Sequence, residues 1–227
     1  MKEAEVVEFR DSIITSLGGP MVPTLPKLKK IVLIDCTIEV DVADVENMFK
    51  GAINLREIHL RHIEVGKHKI HALRQTPIEV FIMTDNILPK LPDNCFNETK
   101  LKKLELRRDQ LEEIDENAFN GLDNLEILDL ESNKLKNIPK AGLVPLKNIK
   151  HINLKENLIE SFGADQIPGL PHLESVGLRY NPLTQLNLDG IEALAPKLRE
   201  IDIKGSRISN EKIEILKSKH TNITLKT

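Results

Sequence analysis

Hydrophobic and polar residues alternate along this chain in a pattern that recurs with a fixed period. The segment LEILDLESNKL (125–135) is followed by IKHINLKENLI (149–159) and LESVGLRYNPL (173–183), with starts 24 residues apart. All three fit L-x-x-L-x-L-x-x-N-x-L, with an aliphatic residue at most L positions. Because alternate residues of a strand point to opposite faces, the L-x-L part predicts a short β-strand with one buried face.

Further copies of the pattern cover nearly the whole chain. Clear copies begin at residues 28, 55, 78, 101 and 198, a worn copy occupies 4–14, and ITLKT (223–227) is the stub of one more. One unit cannot bury its apolar face alone, so the units must stack and align their strands in a parallel sheet. The sequence predicts a single domain over 1–227: a worn first repeat (4–27), eight clear repeats (28–222) and a C-terminal stub (223–227).

The ninth position of the unit is polar in most copies. Four copies carry an asparagine there, at Asn86, Asn133, Asn157 and Asn181. An amide at this position is predicted to turn inward and satisfy exposed backbone groups of adjacent turns. Smaller or poorer substitutes occupy the same place in four other copies: Ser12, Cys36, Asp109 and Ser206.

The second half of each unit predicts an irregular, turn-rich return along the convex side. Its expected buried residues are Phe49, Phe96, Phe119, Leu122, Leu143 and Ile167. Near the C-terminus, SNEKIEILKSKH (209–220) predicts a short amphipathic helix, with Ser209 as its N-cap. This helix is expected to shield Ile208 and Leu225.

Composition limits the classes of function. The chain is 40% hydrophobic and 30% charged with a net charge of -3, so no overall positive field attracts nucleic acid. Only six Phe and one Tyr are present, too few for a base-stacking platform. No run approaches the roughly 18 apolar residues of a membrane span. The N-terminal segment also lacks the apolar core and cleavage site of a signal peptide.

The 24-residue period and the run AFNGLDNLEILDLESNKLKNIP (118–139) resemble the typical extracellular class of leucine-rich repeat proteins. That class includes the ectodomains of Toll-like and Slit-like proteins and insect immune leucine-rich proteins. The resemblance implies an α/β solenoid: a leucine-rich repeat horseshoe with short parallel strands on its concave face. It also implies a non-catalytic protein-binding scaffold in extracellular innate-immune or cell-surface recognition, with Asn97 and Asn222 as candidate glycosylation sites.

Two features depart from that class. The class carries cysteine-rich caps at both ends, and this sequence has only two cysteines, Cys36 and Cys95, placed too far apart to be bonded. The bare N-terminus favours a chain cut from a longer protein. The missing caps and free thiols support the alternative, a cytoplasmic leucine-rich repeat adaptor or inhibitor.

Four histidines in HLRHIEVGKHKIH (59–71) raise the question of a metal site. The repeat register places His59 and His62 on or beside the concave face, and His68 and His71 toward the convex side. Zinc–nitrogen bonds of about 2 Å therefore cannot join all four. Solvated surface is favoured over the alternative, a His59/His62/Asp85 site, so neither a metal nor a cofactor is expected.

No catalytic constellation emerges from the sequence. Asp109 or Glu105 beside His151 resembles an acid–base pair only by residue type, and no Ser or Cys nucleophile is expected to have a partner in register. The chain has no glycine-rich phosphate loop. An enzyme is therefore not predicted.

Positions three, five, seven and eight of each unit are predicted to face solvent on the concave sheet. Position seven is mainly basic and position five partly acidic, which predicts mutual neutralisation on a solvated face. Two groups stand out. The first is formed by β-branched residues on the strands that flank the His59 strand. The second is a cluster of Arg107, Arg108, Arg179 and Tyr180. The alternative for both is an ordinary sheet surface. The predicted partner-binding residues are Val32, Ile34, His59, Arg61, Val80, Ile82, Arg107, Arg179 and Tyr180.

Overall fold

A parallel ten-stranded sheet runs through the computed structural model, which describes residues 3–14, 25–38, 53–63 and 76–227. The predicted solenoid is therefore confirmed. The worn first copy and the C-terminal stub each contribute one strand, at the two edges. The ten strands are Val6–Arg10, Lys30–Ile34, Glu57–Arg61, Val80–Thr84, Lys103–Arg107, Ile127–Asp129, His151–Asn153, Ser175–Gly177, Glu200–Asp202 and Thr224–Lys226.

Neighbouring strands pair in a register that places equal positions of successive units side by side. Ile82 lies opposite Glu105, and Glu105 lies opposite Asp129. Each position of the repeat thus forms a column across the sheet, with strands about 4.8 Å apart. Residues at the same position of successive units are therefore neighbours in space.

The interior is a continuous stack of aliphatic side chains with a phenylalanine spine. Leu104 and Leu128, on adjacent strands, are fully buried. Phe96 and Phe119 of the return segments are also fully buried, as predicted, and the Phe96 ring centroid lies 6.3 Å from that of Phe81. The predicted spine residue Phe49 lies outside the described residues.

The ninth-position amides form the predicted ladder. Asn133 Oδ1 accepts from the backbone N–H groups of Asp109 and Leu111, both at 3.0 Å, while its Nδ2 donates to the carbonyls of Leu106 and Leu130. Asn157 and Asn181 repeat this arrangement one and two turns later. Each amide thereby satisfies donors and acceptors that would otherwise be buried without partners.

Asp109 is the weak member of this ladder. Its Oδ1 accepts from the backbone N–H and the Nδ2 of Asn86, whereas its buried Oδ2 has no partner among the described residues. An asparagine there would present Nδ2 in place of that oxygen, as Asn133 does one turn later. Burial is the main cause that raises the pKa of Asp109 to about 7, although both hydrogen bonds from Asn86 oppose it.

A left-handed backbone residue follows nine of the ten strands of this sheet, at the eighth position of the unit. The φ angles there run from 49° to 77° in nine units: Asp11, Asp35, His62, Asp85, Arg108, Ser132, Glu156, Tyr180 and Gly205. This conformation costs most residues energy, and Asp and Gly adopt it most readily. Only the last copy uses glycine. The side chains at this position line the rim of the concave face.

Short elements complete each turn of the solenoid. Three two-stranded parallel sheets pair Ile13–Ile14 with Thr37–Ile38, Lys90–Leu91 with Glu113–Ile114, and Ser161–Gly163 with Gln185–Asn187. The described return segments hold the helices Lys140–Leu143 and Ile191–Leu194 and the 3-10 helix Ala164–Gln166. The predicted C-terminal helix is confirmed as Asn210–Lys219, with Ser209 Oγ accepting from Lys212 N. Ile208 and Leu225 are buried, as expected.

Candidate protein-binding face

The predicted apolar residues lie on the concave face as two separate pairs. Val32 and Ile34 occupy one strand and Val80 and Ile82 another, and all four are half-buried. The strand Glu57–Arg61 runs between them and pairs with both. It presents a carboxylate, an imidazole and a guanidinium at the facing positions, so the apolar surface is divided by a polar strip.

His59 is the middle residue of that strip, directly between Val32 and Ile82 in register. Its Nε2 lies 3.4 Å from Glu57 Oε2, and it is buried without a hydrogen bond among the described residues. Burial and, next, the nearby Lys30 lower the pKa of His59. The lowered pKa favours the neutral imidazole, which interrupts the apolar surface.

The rim beside these pairs is held by ion pairs. Arg61 Nε lies 3.4 Å from Asp85 Oδ2, and Arg108 Nε donates to Asp85 Oδ1 at 2.6 Å. The hydrogen bond from Arg108 is the main cause that lowers the pKa of Asp85. His62 instead pairs with Asp35, at 2.7 Å between Nδ1 and Oδ1.

This pairing bears on the alternative metal site. His62 turns to Asp35 and Asp85 turns to Arg108, so the hypothetical His59/His62/Asp85 set is not brought together. Within the described segments, no three His, Cys, Asp or Glu side chains are grouped so as to hold a metal ion. His68 and His71 lie outside these segments.

The centre of the concave face is a closed ionic network. Arg107 Nη2 lies 3.1 Å from Glu105 Oε1 and 2.7 Å from Asp129 Oδ2, and Lys103 Nζ lies 2.7 Å from the same Glu105 oxygen. The side chains of Glu105 and Asp129 are only 9% and 8% exposed. Here the predicted neutralisation of charge is observed, and Arg107 is engaged within the molecule.

The C-terminal part of the position-seven column behaves differently. Lys155, Arg179 and Lys204 lie on successive turns, and no carboxylate of the described residues lies within 4.0 Å of their cationic groups. Position-seven neutralisation therefore fails on these three turns. Arg179 is three strand spacings from Arg107, about 14 Å, so these two predicted site residues do not form one cluster.

Arg179 is engaged with Tyr180 instead of an acid. Its guanidinium lies 4.5 Å from the ring centroid, and Nη2 donates to the hydroxyl at 2.7 Å. The same hydrogen bond lowers the pKa of Tyr180. The ring packs against Gly205, where an added Cβ would lie 2.6 Å from Tyr180 Cδ1. Tyr180 is therefore held in place although it is 49% exposed.

One pairing was wrongly excluded by the sequence reasoning. Ser175 Oγ lies 2.8 Å from His151 Nδ1, and the two residues are direct neighbours in register. Both occupy position three of their units, and reading that column across units would have found them. The described residues supply no carboxylate to orient His151, and the pair is a surface contact rather than a triad.

The remaining candidate residues are two asparagines and two cysteines. Asn97 and Asn222 are exposed. Cys36 and Cys95 are buried and form no disulfide with each other, and Cys36 Sγ lies in the ladder, 3.2 Å from the Ile34 carbonyl. No helix of the described segments has the length and apolar character needed to cross a membrane.

The comparisons with known proteins agree with this architecture. A leucine rich repeat model matches residues 99–159 and 124–183. Among curated proteins, none matches the chain. Residues 99–183 are thus leucine-rich repeats, and the parallel strands on either side of them continue the same solenoid fold.

Solved structures with the same fold are distant in sequence. TLR13 in its complex with ssRNA13 shares 21% identity over 92% of this chain, with a TM-score of 0.77. The APL1 leucine-rich repeat domain shares 19% over 99% of the chain at 0.70, and a chain of the LRIM1/APL1C complex shares 19% over 89% at 0.65. This chain spans only 29%, 62% and 45% of those three chains, respectively.

Proposed function

We propose that this chain is a single leucine-rich repeat domain, a non-catalytic scaffold that binds a protein partner through its concave sheet. The observation that carries the proposal is the presence of two apolar pairs, Val32 with Ile34 and Val80 with Ile82, on the face opposite the core. Burying an apolar area of roughly 200–300 Å² at about 25 cal/mol per Å² would contribute several kcal/mol before association costs. Ion pairs already satisfied within the molecule cannot contribute as much.

The division of the apolar surface defines what the partner must present. It needs two apolar projections, one for each pair, and polar groups for the strip between them. His59 would contact the partner within this strip, and Arg61 would lie at the rim. The proposed main contact is therefore Val32, Ile34, His59, Arg61, Val80 and Ile82. Arg179 and Tyr180 form a second contact, and Arg107 lies between the two.

Protein is favoured over nucleic acid as the partner. The TLR13 structure contains ssRNA13, but this chain has a net charge of -3 and a single tyrosine. Its central arginine, Arg107, is neutralised by Glu105 and Asp129. The structure of the LRIM1/APL1C complex is a protein–protein assembly of this fold.

A second part of the proposal concerns where the protein acts. Resemblance to Toll-like and insect immune leucine-rich proteins supports an extracellular, secreted glycoprotein in innate-immune or cell-surface recognition, with glycans on the exposed Asn97 or Asn222. The second candidate is a cytoplasmic adaptor or inhibitor, and two buried cysteines that form no disulfide with each other favour it. Mass spectrometry of protein from its native source separates the two: a glycan on Asn97 supports the first, and unmodified Asn97 with both thiols reduced supports the second.

The binding proposal is tested with surface variants and a partner isolated from native extract. Val80→Thr with Ile82→Thr removes one apolar pair without placing a carboxylate beside Glu57 or Glu105. The double variant should keep its melting temperature and lose at least about tenfold in partner affinity, or about 1.4 kcal/mol. Val144→Asp, at an exposed residue of the convex side, is the matched control and should bind normally. Normal binding by the double variant, with loss in the control, would reject the proposal.

A further inference from the structure

Three cations of the C-terminal concave face differ from the earlier cations of the same column, since Arg10, Arg61 and Arg107 are each paired with a carboxylate. Elsewhere, basic side chains such as Lys102, Lys134 and Lys150 each lie within 3.2 Å of a glutamate. Lys155, Arg179 and Lys204 have no such partner among the residues the structure describes. Exposed ion pairs are weak but form readily where a carboxylate is within reach, so three successive unpaired cations call for an explanation.

The nearest carboxylates are engaged by neutral donors. Glu131 Oε2 accepts from Asn153 Nδ2 at 2.8 Å, and Glu156 Oε2 accepts from Ser132 Oγ at 2.8 Å. Asp202 Oδ1 accepts from the backbone N–H of Lys204 at 3.2 Å. The cations are thus left available although acidic residues lie nearby.

The backbone aligns the three cations in one row. The carbonyls of Lys155, Arg179 and Lys204 accept from the N–H groups of the preceding turns, at 2.9, 2.9 and 2.8 Å. At about 4.8 Å per strand the row is about 10 Å long, which is enough to meet two or three carboxylates. The stem of Lys155 passes over Gly177, where an added Cβ would lie 3.2 Å from Lys155 Cε.

Tyr180 completes the surface beside the row. The ring is fixed by Gly205 beneath it and by the hydrogen bond from Arg179. Tyrosine and arginine are enriched among residues that dominate binding energies, and a side chain already held in place loses little entropy on binding.

We propose that Lys155, Arg179 and Lys204, with Tyr180 beside them, form a basic row that binds the carboxylates of an acidic segment in a protein partner. This assignment rests on the proposed function of a protein-binding concave face and adds the chemistry of a second contact. Charge complementarity argues for an acidic segment. Tyr180, the single tyrosine of the chain, is too little aromatic surface for a run of stacked bases.

The experiment measures the binding of a fluorescein-labelled peptide of glutamates by fluorescence anisotropy at physiological ionic strength, where screening limits long-range effects to about 8 Å. The wild-type chain should bind, and the triple variant Lys155→Gln/Arg179→Gln/Lys204→Gln should bind at least about tenfold more weakly. The single variant Lys204→Gln, at an exposed side chain, should give a smaller loss with unchanged folding.

The matched control is the triple variant Lys102→Gln/Lys134→Gln/Lys150→Gln, which removes the same net charge from ion-paired lysines. It should change the affinity by less than about twofold. Absence of binding by the wild type, an equal loss in the control, or tighter binding of a single-stranded RNA of the same length through the row would overturn the proposal. The probe does not involve the apolar pairs, so this result is independent of the Val80 and Ile82 test.

Discussion

On the strand Ile127–Asp129, Leu128 points into the solenoid and is fully buried, whereas its neighbour Ile127 lies half-buried on the concave face. The same contrast holds along the sheet. Interior positions repeat nearly unchanged from unit to unit, because each turn must fill the space left by the last. Concave positions change from apolar pairs to an ionic network to unpaired cations. The interior columns therefore determine the fold, and the concave columns carry the chemistry that differs between proteins of this architecture.

The largest expected effect tests this contrast at adjacent residues. Leu128→Ala should lower the free energy of unfolding by about 3 to 5 kcal/mol, because it leaves a cavity in a packed interior. Ile127→Ala, on the concave side, should cost less than about 1 kcal/mol. Urea unfolding of both variants measures the difference. Similar losses in the two variants would show that the concave face is also part of the packed core.

An intermediate effect is expected at Asp109, the interior position that departs from the repeat. Its pKa is raised from 3.8 to about 7 in the folded protein, so the folded state holds a proton that the unfolded chain releases near pH 4. Stability from this group is therefore greatest below about pH 4 and falls as the pH rises to about 7. A pKa difference of about three corresponds to at most about 4 kcal/mol.

The test at Asp109 uses asparagine, which restores the ladder amide. Asp109→Asn should raise the free energy of unfolding by on the order of 2 to 4 kcal/mol at pH 8 and by little at pH 4. Unfolding curves across this pH range provide the measurement, and Asp123→Asn, at an exposed residue of the return segment with no ion pair to the described residues, serves as control. An unchanged pH dependence in Asp109→Asn would show that the pKa of Asp109 is not raised in the folded protein.

The sequence predicts interior features better than concave ones. The 24-residue period places the strands, and the ninth position identifies the asparagine ladder together with Asp109 as a poor substitute. These features follow from local spacing, because every turn repeats the same hydrogen bonds. Ser209 is predictable as a helix cap because a cap depends only on residues close to it in the sequence.

For the concave face, the sequence predicts which residue types are present but not how they pair. The columns identify Val32 and Ile82 as surface β-branched residues on either side of His59, and the register of that strand with both neighbours shows that it divides them as a polar strip. Charge columns predict neutralisation, and it occurs at Arg107 but not at Arg179. The difference depends on which donor is hydrogen-bonded to each carboxylate, and a column of residue types does not contain that information.

The central claim is that a protein partner docks on the concave apolar pairs, and methyl NMR tests it most directly. Isoleucine and valine methyl groups are followed while the isolated partner is added. The account predicts that the methyl signals of Val32, Ile34, Val80 and Ile82 shift or broaden together, whereas those of the convex residue Val144 stay unchanged. Shifts confined to Val144 and other convex residues, with the four concave residues unaffected, would contradict it.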